Sequence, residues 1–329
     1  MLSSGIEPPM ELTMNIVIAD DYQDCVRHLD CFPKLKDHQV TVYNDTVKDI
    51  DQLVQRFDAA DALVLIRERT RISAALLDRL PNLKLISQTG KISAHLDFPA
   101  CQARGITVCE GGGTGSATAE MTFLLMLASM RHFTTEVQRL KDGLWQGHLG
   151  RQLSGKTLGV LGYGRIGEQV CRVGQAFGAK PLVWGSENTQ AKAAAHGFAV
   201  AASRAAFFEQ CDVLSIQLKL SAQTQGYITA ADLACMKPDA LLVNTSRAGL
   251  IAPGVLAQAL KAGRPGFAAV DVYEEEPVLG ANHPLLALPN CLCTPHLGYV
   301  EKDNYEVFFG TAFDNINAFA AGRPQNVAV

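Results

Sequence analysis

One hexapeptide, Gly162-Tyr163-Gly164-Arg165-Ile166-Gly167, constrains this chain more than any other feature. It directly follows an apolar run, Thr157-Leu158-Gly159-Val160-Leu161, and opens a helical stretch that reaches about Phe177. A strand, a glycine turn and a helix in that order leave few folds open, because the helix must pack close to the strand it has just left. Each glycine then has a task. Gly162 makes the tight turn, Gly164 lets the backbone approach a pyrophosphate, and Gly167 allows close helix-to-strand packing. The amides of Arg165 and Ile166 face the phosphates from the positive end of the helix dipole. The bland alternative is a βα turn that binds nothing, and the series of strands on either side argues against it.

A site that prefers NAD usually carries Asp or Glu at the end of the second strand, to grip the ribose hydroxyls. Here the strand Pro181-Leu182-Val183-Trp184 is followed by Gly185 and Ser186, and Glu187 comes slightly late. Ser186 is therefore a candidate cofactor contact, and NADP stays open beside NAD.

Short β-rich runs alternate with helical stretches throughout, the pattern of parallel sheets flanked by helices. Ahead of the hexapeptide the runs are Asn15 to Asp20, Val40 to Tyr43, Ala62 to Ile66, Leu83 to Ile86 and Ile106 to Val108. After Trp184 come Asp212 to Ile216, Ala240 to Val243, Phe267 to Val270 and Cys291 to Thr294. Ser73 to Leu80 reads as a helix capped by Ser73 and stopped by Pro81. A single long helix is expected from about Ala117 to Leu140, and Gly111 to Gly115 before it is a candidate hinge. The last helix, about Lys302 to Ala321, has no strand after it and is expected to fold back onto the first series. At 329 residues the length favours two units. The expectation is an α/β chain with two doubly wound domains: residues 1–109 and 294–329 form a substrate unit, and 110–293 a dinucleotide-binding unit inserted into it.

Composition excludes several classes. Hydrophobic residues make up 48%, charged ones 19%, and the net charge is −4. No basic block recruits nucleic acid or an anionic membrane surface. The longest apolar stretch, Met121 to Met130, is too short to span a bilayer. Nine cysteines show no CxxC or zinc spacing, so free thiols in a reducing compartment and no metal are expected. Cys291 and Cys293 fall on one face of a strand. Residues 1–13 lack a basic-then-apolar leader pattern and read as a disordered lead-in, which makes the cytoplasm the expected location.

Three later segments put polar residues at strand ends, where doubly wound folds hold ligands. They are Asn244-Thr245-Ser246-Arg247-Ala248-Gly249, Asp271-Val272-Tyr273-Glu274-Glu275-Glu276-Pro277 and Thr294-Pro295-His296-Leu297-Gly298-Tyr299. Oxidising a secondary alcohol requires removing its hydroxyl proton as hydride leaves, and imidazole titrates near working pH. A carboxylate on the other ring nitrogen fixes the tautomer and favours the protonated form. A guanidinium meets a carboxylate through two parallel hydrogen bonds. Taken singly, His296 reads as a loop residue, Glu274 and Glu275 as solvated charges, and Arg247 as a phosphate or surface contact. Their joint occurrence at three successive strand ends outweighs those readings.

The motifs GYGRIG, NTSRAG, DVYEEEP and TPHLG, in that order, resemble the D-isomer-specific 2-hydroxyacid dehydrogenase family over nearly the whole chain. The resemblance implies a Rossmann NAD(P)-binding domain inserted in a flavodoxin-like substrate domain. It also implies NAD as cofactor, hydride transfer between NAD(P)H and a 2-oxo or D-2-hydroxy acid, and a homodimer. Arg247 is then the anchor of the substrate carboxylate and carbonyl, and His296 the acid/base. Glu276, rather than Glu274 or Glu275, is the partner of His296. Thr245, Ser246, Asp271, Gly298 and Tyr299 fall at nicotinamide-side contacts, and Leu218 and Lys219 in the adenosine-side loop.

Gly90-Lys91-Ile92 stands where the family, with a glycine-valine-glycine pattern, binds the substrate carboxylate on backbone amides, and Lys91 adds charge and bulk that the usual glycine lacks. Lys91 as an exposed loop residue is an equal alternative. Trp145 is placed either at a dimer interface or against its own domain, and closure about Gly111 to Gly115 would exclude water. A formate-type relative is disfavoured because such enzymes carry glutamine at the Glu276 position. The rival from another class is a nucleotide-sensing, corepressor-like protein without turnover, which needs peptide-binding or basic surfaces not evident here.

Overall fold

The computed structural model describes residues 12–113 and 115–328. Most of the lead-in read over residues 1–13, and Thr114 of the glycine-rich stretch, lie outside them. The chain divides into two compact units, Met1–Thr114 with Glu301–Val329, and Gly115–Val300.

Among its described residues the first unit has five strands: β1 (Asn15–Ile18), β2 (Gln39–Val42), β3 (Ala62–Leu65), β4 (Leu85–Gln88) and β5 (Thr107–Glu110). Their order is β2-β1-β3-β4-β5, and every pairing is parallel. All four residues of β3 and of β4 are buried, as sheets covered on both faces require; β3 is an unbroken apolar run, whereas β4 ends in buried Ser87 and Gln88. Short helices are set by side-chain caps: Asp49 accepts from the Gln52 amide, Ser73 from Leu76, and Asp97 from Ala100. The helix after Ser73 ends at Leu77, short of Pro81, because the backbone tightens over its last turn.

The helix Lys302–Ala320 belongs to this unit. Glu301 caps it by accepting from the amides of Asp303 and Asn304. Phe309, Phe313 and Ile316 are fully buried, and Ser87 Oγ of β4 donates to the Ala312 carbonyl.

The second unit contains β6 (Thr157–Leu161), β7 (Lys180–Trp184), β8 (Ala199–Val200), β9 (Val213–Ile216), β10 (Leu241–Asn244), β11 (Phe267–Val270) and β12 (Cys291–Cys293). The parallel order β12-β11-β10-β9-β6-β7-β8 is the dinucleotide-binding order with one further edge strand. One sheet face packs Phe207, Phe208, Leu242 and Leu250, the other Met126, Leu158, Val160 and Val243. β8 was not anticipated, because two residues are too few to carry a pattern.

Two expectations need correcting. The single helix from Ala117 to Leu140 is two, Ser116–Met130 and Phe133–Lys141, with His132 between them in the left-handed region at φ 51°. The first buries seven residues and the second none. The Arg151 amide donates to the Met130 carbonyl at 2.8 Å, satisfying a helix end that sequence alone does not mark.

The boundaries expected at 109/110 and 293/294 also move. Glu110 N bonds the Asn326 carbonyl and Gly111 N the Gly90 carbonyl, which keeps residues 110 and 111 in the first unit. Thr294, Leu297 and Gly298 are bonded to Asp271, which holds them in the second. Among the described residues no helix is long and apolar enough to cross a membrane, and no cluster of metal-ligating side chains forms.

Candidate active site

The glycine turn is shaped from both sides. Gly162 has φ 94°, and a Cβ there would stand 2.8 Å from the Gln217 carbonyl oxygen beyond β9. At Gly167 a Cβ would stand 2.3 Å from the Gly162 carbonyl oxygen. Gly164 is the opposite case: no atom lies within 4 Å of its would-be Cβ. The first intrahelical bond runs from Glu168 N to Gly164 O, so the amides of Arg165, Ile166 and Gly167 precede it at the positive end of the Arg165–Ala176 helix. Open space over Gly164 beside those amides fits a pyrophosphate.

At the end of β7, a Cβ on Gly185 would come within 2.6 Å of Thr189 Cγ2, so an acid there requires Thr189 to move. Ser186 Oγ caps the Glu187–Ala195 helix by accepting from the Thr189 amide, and Glu187 is exposed. Beyond β9 the Leu218 carbonyl accepts from Ser246 Oγ at 2.6 Å, and the Lys219 carbonyl from Thr224 Oγ1 at 2.7 Å. The Leu218 bond ties the segment after β9 to the one after β10.

The turn after β10 is built by buried Asn244, whose Nδ2 donates to Arg247 O and whose Oδ1 accepts from Ser246 N, each at 3.0 Å. Thr245 Oγ1 meets Thr122 Oγ1 at 2.7 Å. Arg247 leaves in extended conformation, with Nη1 donating to the Ser246 carbonyl at 2.7 Å.

Asp271, at the end of β11, is fully buried. Its Oδ1 accepts from Thr294 Oγ1 at 2.6 Å and Leu297 N at 2.8 Å, and its Oδ2 from Gly298 N at 2.7 Å. Burial holds its carboxyl above the usual carboxylate range against those bonds. The resemblance places Asp271 beside the nicotinamide, whereas these bonds give both its oxygens to the histidine segment. Gly298 fits closely there, since a Cβ would sit 3.1 Å from Asp271 Oδ2.

His296 adopts φ 53°, and its Nδ1 lies 2.6 Å from Glu276 Oε2. The other oxygen of Glu276 accepts from the Tyr273 amide at 2.9 Å. Tyr299 packs edge-on against the imidazole, centroids 5.2 Å apart. Glu274 is more than a solvated charge: it meets His283 Nε2 at 2.9 Å, while His283 Nδ1 accepts from Leu285 N. No motif pointed to His283. Glu275 is exposed.

In the first unit, the anticipated carboxylate loop already holds a carboxylate. Glu110 accepts from Lys91 Nζ at 2.5 Å and from the Ile92 amide at 3.1 Å. The Arg67 guanidinium lies over Gly90, close enough to collide with any Cβ there. Glu110 and Arg67 were missed. The signal for Glu110 was its place at a strand end, in register with Gln88.

A family model, the NAD-binding domain of D-isomer specific 2-hydroxyacid dehydrogenases, matches residues 123–298. A glyoxylate reductase of Aeropyrum pernix is 35% identical over 84% of this chain and 85% of its own. A D-3-phosphoglycerate dehydrogenase of Methanocaldococcus jannaschii is 34% identical over 75% of this chain and 47% of its own. The crystal structure of a phosphoglycerate oxidoreductase from Vibrio cholerae is 51% identical, with a TM-score of 0.92 over 94% of this chain and all of that one. On the family match and these identities, the chain belongs to the D-isomer specific 2-hydroxyacid dehydrogenases, NAD-dependent oxidoreductases of 2-oxo and 2-hydroxy acids.

Proposed function

We propose that His296 is the acid/base of this dehydrogenase, Glu276 its partner, and Arg247 the residue that binds the carboxylate and carbonyl of a small 2-oxo acid. The 2.6 Å contact between His296 Nδ1 and Glu276 Oε2 carries the reading. A carboxylate fixed by the Tyr273 amide holds the ring at Nδ1, sets its orientation and leaves Nε2 to exchange the proton. Bound NADH supplies the hydride for C2 of the oxo acid. His296 donates the proton that the carbonyl oxygen takes up, and Arg247 offsets the charge developing there. This carboxylate-backed imidazole favours turnover over a nucleotide sensor.

Gly162, Gly164, Arg165, Ile166 and Gly167 are the proposed pyrophosphate contacts. Ser186, Leu218 and Lys219 are proposed toward the adenosine, and Thr245, Ser246 and Gly298 toward the nicotinamide. Gly90 and Lys91 remain the proposed substrate loop, with Ile92 acting there once Glu110 yields its amide. Glyoxylate, hydroxypyruvate and 3-phosphohydroxypyruvate are the first substrates to try, following the names of the relatives. Without an acid at Gly185, NADPH is proposed as an alternative donor.

A homodimer is proposed through the segment around Trp145, 74% exposed, and Leu149, 96% exposed. This exposure favours the interface over burial against the residue's own domain. A cytoplasmic setting fits nine free cysteines.

The test is His296→Asn. NADH binding by calorimetry is expected to survive, while turnover falls about 10²- to 10⁴-fold, the usual worth of a general acid/base. Equal turnover in variant and parent removes His296 from the reaction.

A further inference from the structure

β12 carries two thiols on one face, with Cys291 Sγ and Cys293 Sγ 3.7 Å apart. It is an edge strand, and both cysteines are only partly buried, whereas Cys31, Cys101, Cys109, Cys171 and Cys211 are buried. The strand runs directly into Thr294-Pro295-His296. Tyr273 links the thiol strand to the site: its hydroxyl donates to the carbonyl of Thr294, the residue after Cys293, at 3.0 Å, and its amide holds Glu276. We propose that Cys291 and Cys293 form a modification site, a vicinal dithiol that hydroperoxides oxidise to a disulfide, whose closure draws His296 away from Glu276.

Geometry explains both the reactivity and the consequence. Two residues of strand span roughly 6.4–6.8 Å, at the upper limit of the Cα separation a disulfide bridges. Joining the sulfurs at about 2.0 Å therefore shortens the strand. β12 gives way readily, being three residues long and paired on one side only, Ala268 with Cys291 and Val270 with Cys293. Shortening moves Thr294, whose amide bonds the Val270 carbonyl, and with it the turn that sets His296 at φ 53°.

The Cys291 contact holds the Cys293 thiol below its ordinary value despite burial, and the same contact pushes Cys291 up. Cys293, the thiol that adjoins Thr294 and lies 3.7 Å from the Cys291 sulfur, is assigned as the nucleophile, with Cys291 as the resolving thiol. Its thiolate attacks one oxygen of hydrogen peroxide, the O–O bond breaks, and hydroxide leaves a sulfenic acid. Cys291 gives its proton to the hydroxide, then attacks the sulfenic sulfur and expels the second oxygen, which leaves as water on taking a proton from solvent. Two thiols and one peroxide become one disulfide and two waters. Strained disulfides of this kind are readily reversed by thiols.

The loss of turnover rests on the role proposed for His296, whereas formation of the disulfide does not. The whole enzyme is treated with stoichiometric hydrogen peroxide, digested without reduction, and assayed with NADH and glyoxylate or hydroxypyruvate. The expected result is a Cys291–Cys293 disulfide by mass spectrometry, with turnover down about tenfold or more, as a displaced acid/base predicts, and restored by dithiothreitol. Cys291→Ser and Cys291→Ala are expected to be fully active before treatment and to stop at a Cys293 sulfenic acid that dimedone traps. Absence of the 291–293 disulfide in the parent overturns the site. A disulfide with unchanged turnover, or the same thiol-reversible loss in both variants, overturns its coupling to His296. If His296→Asn itself keeps full turnover, the acid/base reading fails, and the mass spectrum still decides the thiols.

Discussion

His296 occupies a left-handed backbone position that β-branched residues tolerate poorly, and Asp271 supplies the bonds that keep it there. Holding one imidazole therefore takes a buried carboxylate, a threonine hydroxyl and two amides. Arg247 acts through geometry as well as charge. Arg247→Lys is expected to cost roughly 10- to 100-fold in kcat/KM for the oxo acid, the worth of one charge-assisted hydrogen bond, while NADH affinity is unchanged. Steady-state assays over a range of both substrates check this.

Arg204 and Asp232 make a two-pronged pair in the second unit, with Arg204 also on the Tyr227 carbonyl. Burial raises the Asp232 carboxyl, but the Arg204 guanidinium and Thr229 outweigh it and leave it below the ordinary value. Its stabilising effect is thus complete above an unfolded pKa of about 3.9 and is lost as pH falls through the lower folded value. Asp232→Asn should destabilise by roughly 1–3 kcal/mol at pH 7, less than a fully buried pair because Arg204 is partly solvated. The gap between variant and parent in urea melts should close below pH 4, and a gap that stays constant down to pH 3 contradicts this.

The glycine turn separates structural from ligand-binding positions within one element. Gly164→Val fills open space, so the melting temperature should hold while NADH binding weakens by at least tenfold, about 1.4 kcal/mol. Gly167→Ala meets the Gly162 carbonyl and should lower stability by roughly 1–3 kcal/mol, as overpacking does. Calorimetry on both variants distinguishes the two. This turn was legible because strand, glycines and helix are adjacent in sequence, and the Ser73 cap was legible for the same reason. The break at His132 was hidden, because the Met130 carbonyl is satisfied by the Arg151 amide arriving from 21 residues downstream. Glu110 over the Ile92 amide, Arg67 over Gly90 and the His283–Glu274 pair were hidden likewise, since each joins side chains that only the tertiary fold brings near.

For the molecule as a whole, Phe133, Leu140, Leu144, Trp145 and Leu149 leave a large apolar area exposed on one copy. The double substitution Trp145→Glu with Leu149→Glu should turn a dimer into a folded monomer in analytical ultracentrifugation, and a parent that sediments as a monomer refutes the association. The unit boundaries escaped the sequence by a few residues because a boundary is where bonds cease to cross, as at Asp271 and Asn326, and not where composition changes. Among the described residues the strands β1 to β12 pair in parallel with their sheet neighbours, so each sheet has one rim where every strand arrives and one from which every strand departs. The arriving rims collect Arg165, Arg247, the imidazole and the glycine cradle, while the departing rims carry anchoring bonds such as Asp212 to the Thr157 amide. A deep mutational scan should therefore be lopsided: substitutions at departing ends register as lost expression, and those at arriving ends as altered appetite among oxo acids in a protein that still accumulates.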